Sequence, residues 1–399
     1  MGCKVTYVPL GELAEFESGG TPRKNEDSYW NGAIPWISAK TLKGDTVYKS
    51  DLYITEEGLA AGSKLAPQGS LLLLTRGSGL FKRIPIAMAG KDVAYNQDIK
   101  CIRATANGIS NRYLFYALRS LEPAISTMLE TTGIGAGKLA TDRLKGLPVP
   151  ILDGISRAKV TSFADCICGK VALNAKLNGY LEEWGQGLLE NYQESCATAI
   201  PLSNVMDFGN GYAFKSGSYI QNGLYKVLTI KNVQDGSVDC SMSNRIDELP
   251  PKMKPFCKLQ PGNVVLSLTG NVGRVGIVPE ENCLLNQRVA VLQPYNYALL
   301  PGLYFHFRQK AFQNEMIGIA KGTAQANLSP VETLKLEMPY NKSFFEISQK
   351  LKPAFDLILA NTIESKRLTV LRDALLPKLM SGEIDVSKID LTQLNSHLA

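Results

Sequence analysis

Apolar and polar positions along this chain fall into two rhythms, and the change from one to the other comes twice. From residue 8 to about 150, apolar residues come in short runs bounded by Gly, Pro and Asn. Ile34-Pro35-Trp36-Ile37 and Ser70-Leu71-Leu72-Leu73-Leu74 are examples. Such runs predict strands with turn punctuation. Residues 200–340 repeat the style, with Tyr225-Lys226-Val227-Leu228 and Asn263-Val264-Val265-Leu266-Ser267-Leu268. One helix is predicted in each region, near Asn111–Ser120 and Gly302–Met316. Between Ser156 and Tyr192 the spacing becomes helical. Val160, Phe163, Ile167, Leu177, Leu181, Trp184 and Leu188 fall on three- and four-residue steps, as in a coiled-coil seam. Ile347, Ala354, Leu357, Leu368, Leu371 and Leu375 take the same steps. Asn174 and Asn361 fall at equivalent places on these seams. A polar residue there either fixes helix register or sits partly exposed, and both readings stand. Gly169, Gly179, Gly185 and Gly187 weaken the first helix by about 1 kcal/mol each relative to Ala. Pro353 predicts a kink in the second helix, or its true start.

The two rhythms recur because the chain is written twice. Ile200-Pro201-Leu202 restarts Val8-Pro9-Leu10. Lys64-Leu65-Ala66-Pro67-Gln68-Gly69 is answered by Lys258-Leu259-Gln260-Pro261-Gly262, and Asn96-Gln97 by Asn286-Gln287. Lys138-Leu139 with Pro150 is answered by Asn327-Leu328 with Pro339. The repeat is too long for a solenoid unit and describes tandem domains. The expected class is α+β: two mixed domains, each followed by a long helix. The expected bounds are 1–152, 153–196 (helix), 197–340, 341–386 (helix) and a tail at 387–399. Neither helix has a partner in its own copy, so the two are expected to pack on each other as an antiparallel coiled coil.

Composition narrows the function classes. A hydrophobic content of 45% and a charged content of 20% are ordinary for a soluble globular protein. No apolar run approaches the roughly 20 residues of a membrane span. The first residues carry no apolar signal region. The eight cysteines are scattered without zinc spacing and are expected to be reduced, in a cytoplasmic protein. The net charge of +6 permits a polyanionic partner.

Catalytic constellations are sparse. The two histidines are His306, on a packed helix face, and His397, in the tail. There is no nucleophile elbow and no P-loop. Asp98-Ile99-Lys100 has the carboxylate–x–lysine form of many nucleases, so a self-sufficient magnesium-dependent nuclease is one alternative. A two-headed protein-binding scaffold is another. What remains is polar, basic loops. The first copy offers Thr21, Arg23, Lys24, Arg76, Ser78, Lys82, Arg83 and Lys138. The second offers Tyr212, Lys215, Ser216, Lys231, Asn271, Arg274, Lys321, Thr323, Gln325 and Asn327. Arg and Lys suit phosphates or the guanine edge, and Asn and Gln the adenine edge. Solvated hairpin turns have the same composition, and composition leaves the two readings open.

A resemblance bears on that choice. Gly322-Thr323-Ala324-Gln325-Ala326-Asn327-Leu328-Ser329, followed by Leu334 and Met338-Pro339, resembles a segment of the specificity subunits of type I restriction–modification systems. Leu371-Arg372-Asp373-Ala374-Leu375-Leu376-Pro377-Lys378-Leu379-Met380-Ser381-Gly382-Glu383-Ile384 is similar to the end of that family's distal helix. Val8–Leu13, Gly19–Pro22, Tyr29–Gly32 and Ile34–Ile37 resemble its domain opening. The likeness runs from residue 7 to about 386. The first copy departs from it at Gly135-Ala136-Gly137-Lys138, where the Gln-x-Asn of the second copy is missing. The resemblance implies two recognition domains reading a bipartite site in double-stranded DNA, with the loop residues above as contacts and two helices setting the spacer. It implies no catalysis, no bound metal and no cofactor in this chain. S-adenosylmethionine, ATP and magnesium would belong to two methyltransferase subunits and to restriction/translocase subunits. The DNA sequence, the spacer length and the subunit's own oligomeric state are not legible.

Overall fold

The computed structural model describes residues 5–133, 135–241, 243–322 and 326–386. The chain folds as two units, Met1–Lys170 with Leu368–Ala399, and Val171–Arg367. In the first, a five-stranded sheet runs in the order Ala14–Ser18, Ile99–Ala104, Leu71–Leu74, Ile86–Ala89, Thr46–Val47. Its Leu71–Leu74 strand is buried at every residue, as a continuous apolar run in the middle of a sheet requires. A four-stranded sheet runs Leu52–Ile54, Trp30–Ile37, Val93–Tyr95, Leu65–Ala66. Val5–Pro9 pairs antiparallel with Pro148–Leu152 and ties the start of the unit to its end.

The second unit repeats the plan of these two sheets. Its five-stranded sheet runs Met206–Asn210, Val289–Pro294, Val264–Ser267, Val275–Ile277, Gly236–Ser237. Its four-stranded sheet runs Asn244–Ile246, Tyr225–Leu228, Cys283–Leu285, Lys258–Leu259. Even the pairing senses agree. The last pair of each five-stranded sheet is parallel, as is the central pair of each four-stranded sheet. Ala199–Pro201 with Glu337–Pro339 closes the unit as Val5–Pro9 closes the first. The duplication seen as scattered residue matches is therefore a duplication of topology.

The predicted helix Asn111–Ser120 forms as expected, with the Ser110 hydroxyl capping the Tyr113 N–H at 3.1 Å. The second predicted helix is instead two, Leu300–Arg308 and Lys310–Ile319. Gln309 breaks it with an extended backbone at ψ 132°. Its side chain bonds Gln193 at 2.9 Å and His306 at 3.2 Å. His306 is 3% exposed and its ring lies 4.2 Å from that of Phe312. Burial lowers its pKa to about 4, with the Gln309 bond a smaller opposing effect.

The long helices are Gly154–Glu194 and Phe344–Met380. Each contributes to both units. In the second unit they pair antiparallel. Asn174 Nδ2 donates to Glu364 Oε2 at 2.7 Å and to Ser365 Oγ at 3.2 Å. One turn on, Asn178 reaches back to the Ile358 carbonyl and the Thr362 hydroxyl, both at 3.4 Å. Asn361 donates to Asn178 Oδ1 at 2.8 Å. Asn174 and Asn361 are 2% and 6% exposed.

The buried stripe differs from the expected seam by about one residue over parts of both helices. Trp184, Leu357 and Leu371 are 53%, 41% and 46% exposed, whereas Gly185, Leu189, Ser348, Leu351, Ile358, Arg372 and Leu376 are buried. The reason is that some buried positions are polar and internally satisfied, so they read as surface in the sequence. Ser348 donates to the Ala298 carbonyl at 2.7 Å and accepts from the Gly302 N–H at 3.0 Å. Arg372, in the first unit, pairs with Asp45 and contacts Cys168 Sγ at 3.2 Å. The helix ends also enter the unit cores. Val160, Phe163, Ile167, Leu376 and Leu379 belong to the first core; Leu189, Tyr192, Phe344 and Leu351 belong to the second.

Pro353 neither starts the second helix nor ends it. Both Pro353 and Gln349, whose carbonyl loses its partner, are exposed, so water can take the bond. Gly382, with φ +74°, turns the chain after Met380, and the Ile384 N–H then bonds the Lys378 carbonyl at 3.1 Å.

The helix glycines are not equivalent. A Cβ on Gly185 would lie 2.2 Å from the Phe305 ring, whereas one on exposed Gly179 would meet nothing within 4 Å. Gly185→Ala should therefore destabilise by about 1–3 kcal/mol. Gly179→Ala should stabilise by up to about 1 kcal/mol. Urea unfolding of the two variants checks this, and equal shifts would refute the packing assigned to Phe305.

His306 makes stability pH-dependent. An unfolded His has a pKa near 6.5. The folded value is about 4, so below pH 6.5 the unfolded chain takes up a proton that the folded chain refuses. Stability is intact above about 6.5 and falls as pH drops toward 4, by on the order of 3 kcal/mol. His306→Phe should remove about one proton from the acid dependence of the urea midpoint between pH 6.5 and 4.5. An unchanged slope would mean the ring is protonated when folded.

Candidate functional site

In each unit, the loops that carry the candidate residues converge at one end of the five-stranded sheet. In the first unit a close backbone approach makes the site. A Cβ on Gly19 would lie 2.2 Å from the Tyr95 carbonyl, so only glycine fits. The Gly20 N–H then bonds Tyr95 O at 2.9 Å. The Trp36 and Trp30 indoles hold the carbonyls of Gly20 and Arg23, each at 3.0 Å. The loop is thereby pinned through its backbone, and the Arg23 and Lys24 side chains are left exposed. The Thr21 hydroxyl donates to Gln97 Oε1 at 2.6 Å.

The other basic residues of this unit sit on a small three-stranded sheet and the turn beside it. Lys138 lies directly opposite Arg76 on one side and Glu130 on the other. Glu130 is engaged with Arg143 at 3.3 Å. Ser78, Lys82 and Arg83 lie exposed on the turn that follows Arg76. Among the described residues Arg23, Lys24, Arg76, Lys82, Arg83 and Lys138 have no ion-pair partner. Two like charges facing each other across a ladder cost stability unless an anion lies over them.

The second unit uses the same backbone device. A Cβ on Gly211 would lie 2.1 Å from the Asn286 carbonyl. Tyr212 N–H bonds Leu285 O at 2.8 Å, and its ring stands edge-on to Phe214 at 5.1 Å. Lys215 and Ser216 are exposed on the next turn. Gln234 gathers two more candidates: it donates to the Lys231 carbonyl at 2.9 Å and accepts from Arg274 at 3.5 Å. Asn271 is exposed in the turn leading to Arg274. Asn327 takes the place that Lys138 has in the first unit. It pairs with Lys321 through two backbone bonds of 2.8 and 3.0 Å. Its Oδ1 accepts from the Thr269 hydroxyl at 2.7 Å. Thr323 and Gln325 lie outside the described residues. The departure noticed at Lys138 is thus a substitution in a shared seat: the lysine keeps the backbone position of Asn327 but not its buttress.

Sequence reasoning passed over Gln97, Gln287 and Arg288. All sit on the turn that opens the Ile99–Ala104 and Val289–Pro294 strands, and Gln287 and Arg288 line a pocket with Asn210 and Asn327. The repeated Asn-Gln pair was the available signal.

The two residues behind the nuclease alternative have structural partners. Asp98 accepts from Asn96 Nδ2 at 3.3 Å, and its carbonyl holds the Thr75 N–H and hydroxyl at 2.7 and 3.0 Å. Lys100 reaches the Ser18 hydroxyl on the neighbouring strand. Among the described residues, the group with metal-donor spacing is Cys240, Glu280 and Cys283, whose donor atoms lie within 4.8 Å. Burial opposes the Glu280 charge, but Lys226 at 2.7 Å and Lys366 hold the carboxyl below its usual pKa. Glu280 is therefore already matched by two ammonium groups.

The opposed charges make a prediction. Arg76→Gln should leave stability unchanged or raise it by about 0.2–1 kcal/mol, because a repulsion across the ladder is removed. A drop of more than 1 kcal/mol in urea unfolding would show that Arg76 has a structural role instead.

The sequence matches the family model described as the type I restriction modification DNA specificity domain, over residues 4–152 and again over 198–369. The MjaIX specificity subunit of Methanocaldococcus jannaschii is 24% identical over 417 aligned residues, covering 95% of this chain and 93% of that protein. The EcoR124I/EcoR124II specificity subunit of Escherichia coli is 31% identical over 164 residues, which span 41% of this chain and 40% of that protein. A solved S subunit of a type I restriction-modification system from M. genitalium shares the fold, with a TM-score of 0.52 at 17% identity. That superposition covers 94% of this chain and 96% of that one.

Proposed function

This chain belongs to the type I restriction modification DNA specificity family, and we propose that its two domains read the two halves of a bipartite DNA target. It is the DNA-recognition subunit of such a system and is itself non-catalytic. The observation that carries the bipartite reading is the repeat itself: one topology used twice, with a different set of polar side chains on the same loops.

Within this reading, residues 1–152 and 197–340 are the two readers. Thr21, Arg23, Lys24, Arg76, Ser78, Lys82, Arg83 and Lys138 contact one half-site. Tyr212, Lys215, Ser216, Lys231, Asn271, Arg274, Lys321, Thr323, Gln325 and Asn327 contact the other. The exposed cations provide the sequence-independent attraction to phosphates, and the amides provide base-edge contacts. Asn174 and Asn361 fix the register of the long helices, which set the number of unread base pairs between the half-sites. At 1.5 Å per residue, a helix of 41 residues is about 60 Å long. The partners are DNA with methyltransferase and restriction subunits. Two methyltransferase subunits would supply S-adenosylmethionine, and restriction subunits would supply ATP and magnesium. Among the described residues no helix is long and apolar enough to cross a membrane. The proposed place of action is the cytoplasm, where the target DNA lies.

The test is exchange of residues 200–340 for the equivalent segment of a relative, read by sequencing the methylated sites in cells. One half of the recognised sequence should change and the other should persist. Alteration of both halves, or of neither, would defeat the reading. Arg274→Ala and Lys321→Ala should each weaken DNA binding by the assembled complex. Removing one cation that neutralises a phosphate should lower the log–log salt slope by about 1. Unchanged affinity and slope in both variants would move the interface to other loops.

A further inference from the structure

Resting on the DNA-reading role above, we propose that Arg288 is a base-reading residue of the second domain that takes a guanine edge in the major groove. The argument starts from a shared backbone seat. The Asn96 N–H bonds Ile37 O at 3.0 Å, and the Asn286 N–H bonds Leu228 O at 3.1 Å. Asn96 Oδ1 accepts from the Asp98 N–H at 3.2 Å, and Asn286 Oδ1 accepts from the Arg288 N–H at 3.4 Å. The Ile99 N–H returns to Asn96 O at 3.2 Å, and the Val289 N–H to Asn286 O at 2.9 Å. Asp98 and Arg288 are therefore one position of the scaffold, with the backbone held alike and the side chain inverted from acceptor to donor. A surface turn free of function can also vary. Three further observations set this one apart.

The Arg288 carbonyl accepts from the Leu268 N–H at 3.0 Å, so the residue is anchored on both sides at the mouth of a sheet strand. Its side chain is exposed and has no ion-pair partner among the described residues. It opens on a pocket shared with the amides of Asn210, Gln287 and Asn327. A guanidinium fork meets guanine O6 and N7 together, and amides are the side chains that pair with adenine. A phosphate contact tolerates a loose loop. A bidentate base contact needs a rigid seat, and this position has one.

The experiment uses the full chain assembled with its methyltransferase partners in cells, with methylated sites sequenced for Arg288→Ala and Arg288→Lys. Arg288→Gln, which keeps bulk but loses the fork, serves if Arg288→Ala does not fold. The expected result is an unchanged first half-site and one guanine in the second half-site relaxed by about tenfold or more. Arg288→Lys should recover only part of that preference. The same motif at lower occupancy, with a shallower salt slope in binding assays, would make Arg288 a phosphate contact and overturn the assignment while leaving the DNA-reading role standing. An unchanged motif at unchanged occupancy would overturn it too. A methylation pattern indifferent to deletion of the whole chain would sink both the assignment and the reading beneath it.

Discussion

A polar group buried on a helix must meet its partner at one place along the helix and no other, and this constraint positions both long helices. Asn174 has its acceptors at Glu364 and Ser365, Ser348 at the Ala298 carbonyl, and Arg372 at Asp45. Sliding either helix by a turn would leave an amide or a guanidinium buried without a partner. That costs about 1–3 kcal/mol for a neutral group and more for a charge. Apolar contacts alone are more forgiving, since one leucine replaces another with little penalty. The hydrophobic stripe therefore supplies cohesion to the helices, and the proposed register role falls to the polar groups.

The same division explains how the loops combine stability with variation. Gly19 and Gly211 allow a backbone approach that a Cβ would forbid, and the neighbouring N–H groups close onto a strand-end carbonyl. The frame is made of main-chain bonds, which any side chain can share. Side chains above it are then free to differ, as Lys138 differs from Asn327 and Asp98 from Arg288. The two halves can diverge in what they touch without diverging in how they fold.

Much of the fold was legible because it depends on periodicity and punctuation. The buried Leu71–Leu74 strand, the Asn111–Ser120 helix and the two long helices follow from apolar spacing. The break at Gln309 was not legible, since it depends on a side chain meeting Gln193 more than a hundred residues away. Nor was the true helix stripe. Ser348 and Arg372 look like surface in one dimension, and only their distant partners make them core. Glycines misled in a similar way: Gly185 reads as a weak point of a helix and is in fact the gap that admits Phe305. For the candidate site, glycine and basic residues mark the same loops in both copies of the sequence. Which side chains share a pocket could not be read, because Asn210, Arg288 and Asn327 come from three separate stretches of chain.

The first unit is assembled from two stretches of chain that the second unit separates in sequence. Leu376, Leu379, Met380 and Val386 are buried in its core beside Leu71 and Val149, while Val171–Arg367 forms the second unit from one uninterrupted stretch. During synthesis the N-terminal part of that core emerges first and is completed last. Until the end of Phe344–Met380 is made, the apolar side chains that it covers in the first core lack that cover. All residues of the second unit, Val171–Arg367, are made before Leu376, Leu379, Met380 and Val386. The unit begun first is therefore completed last, and a chain broken off between Arg367 and Leu376 would hold one whole unit and one left open.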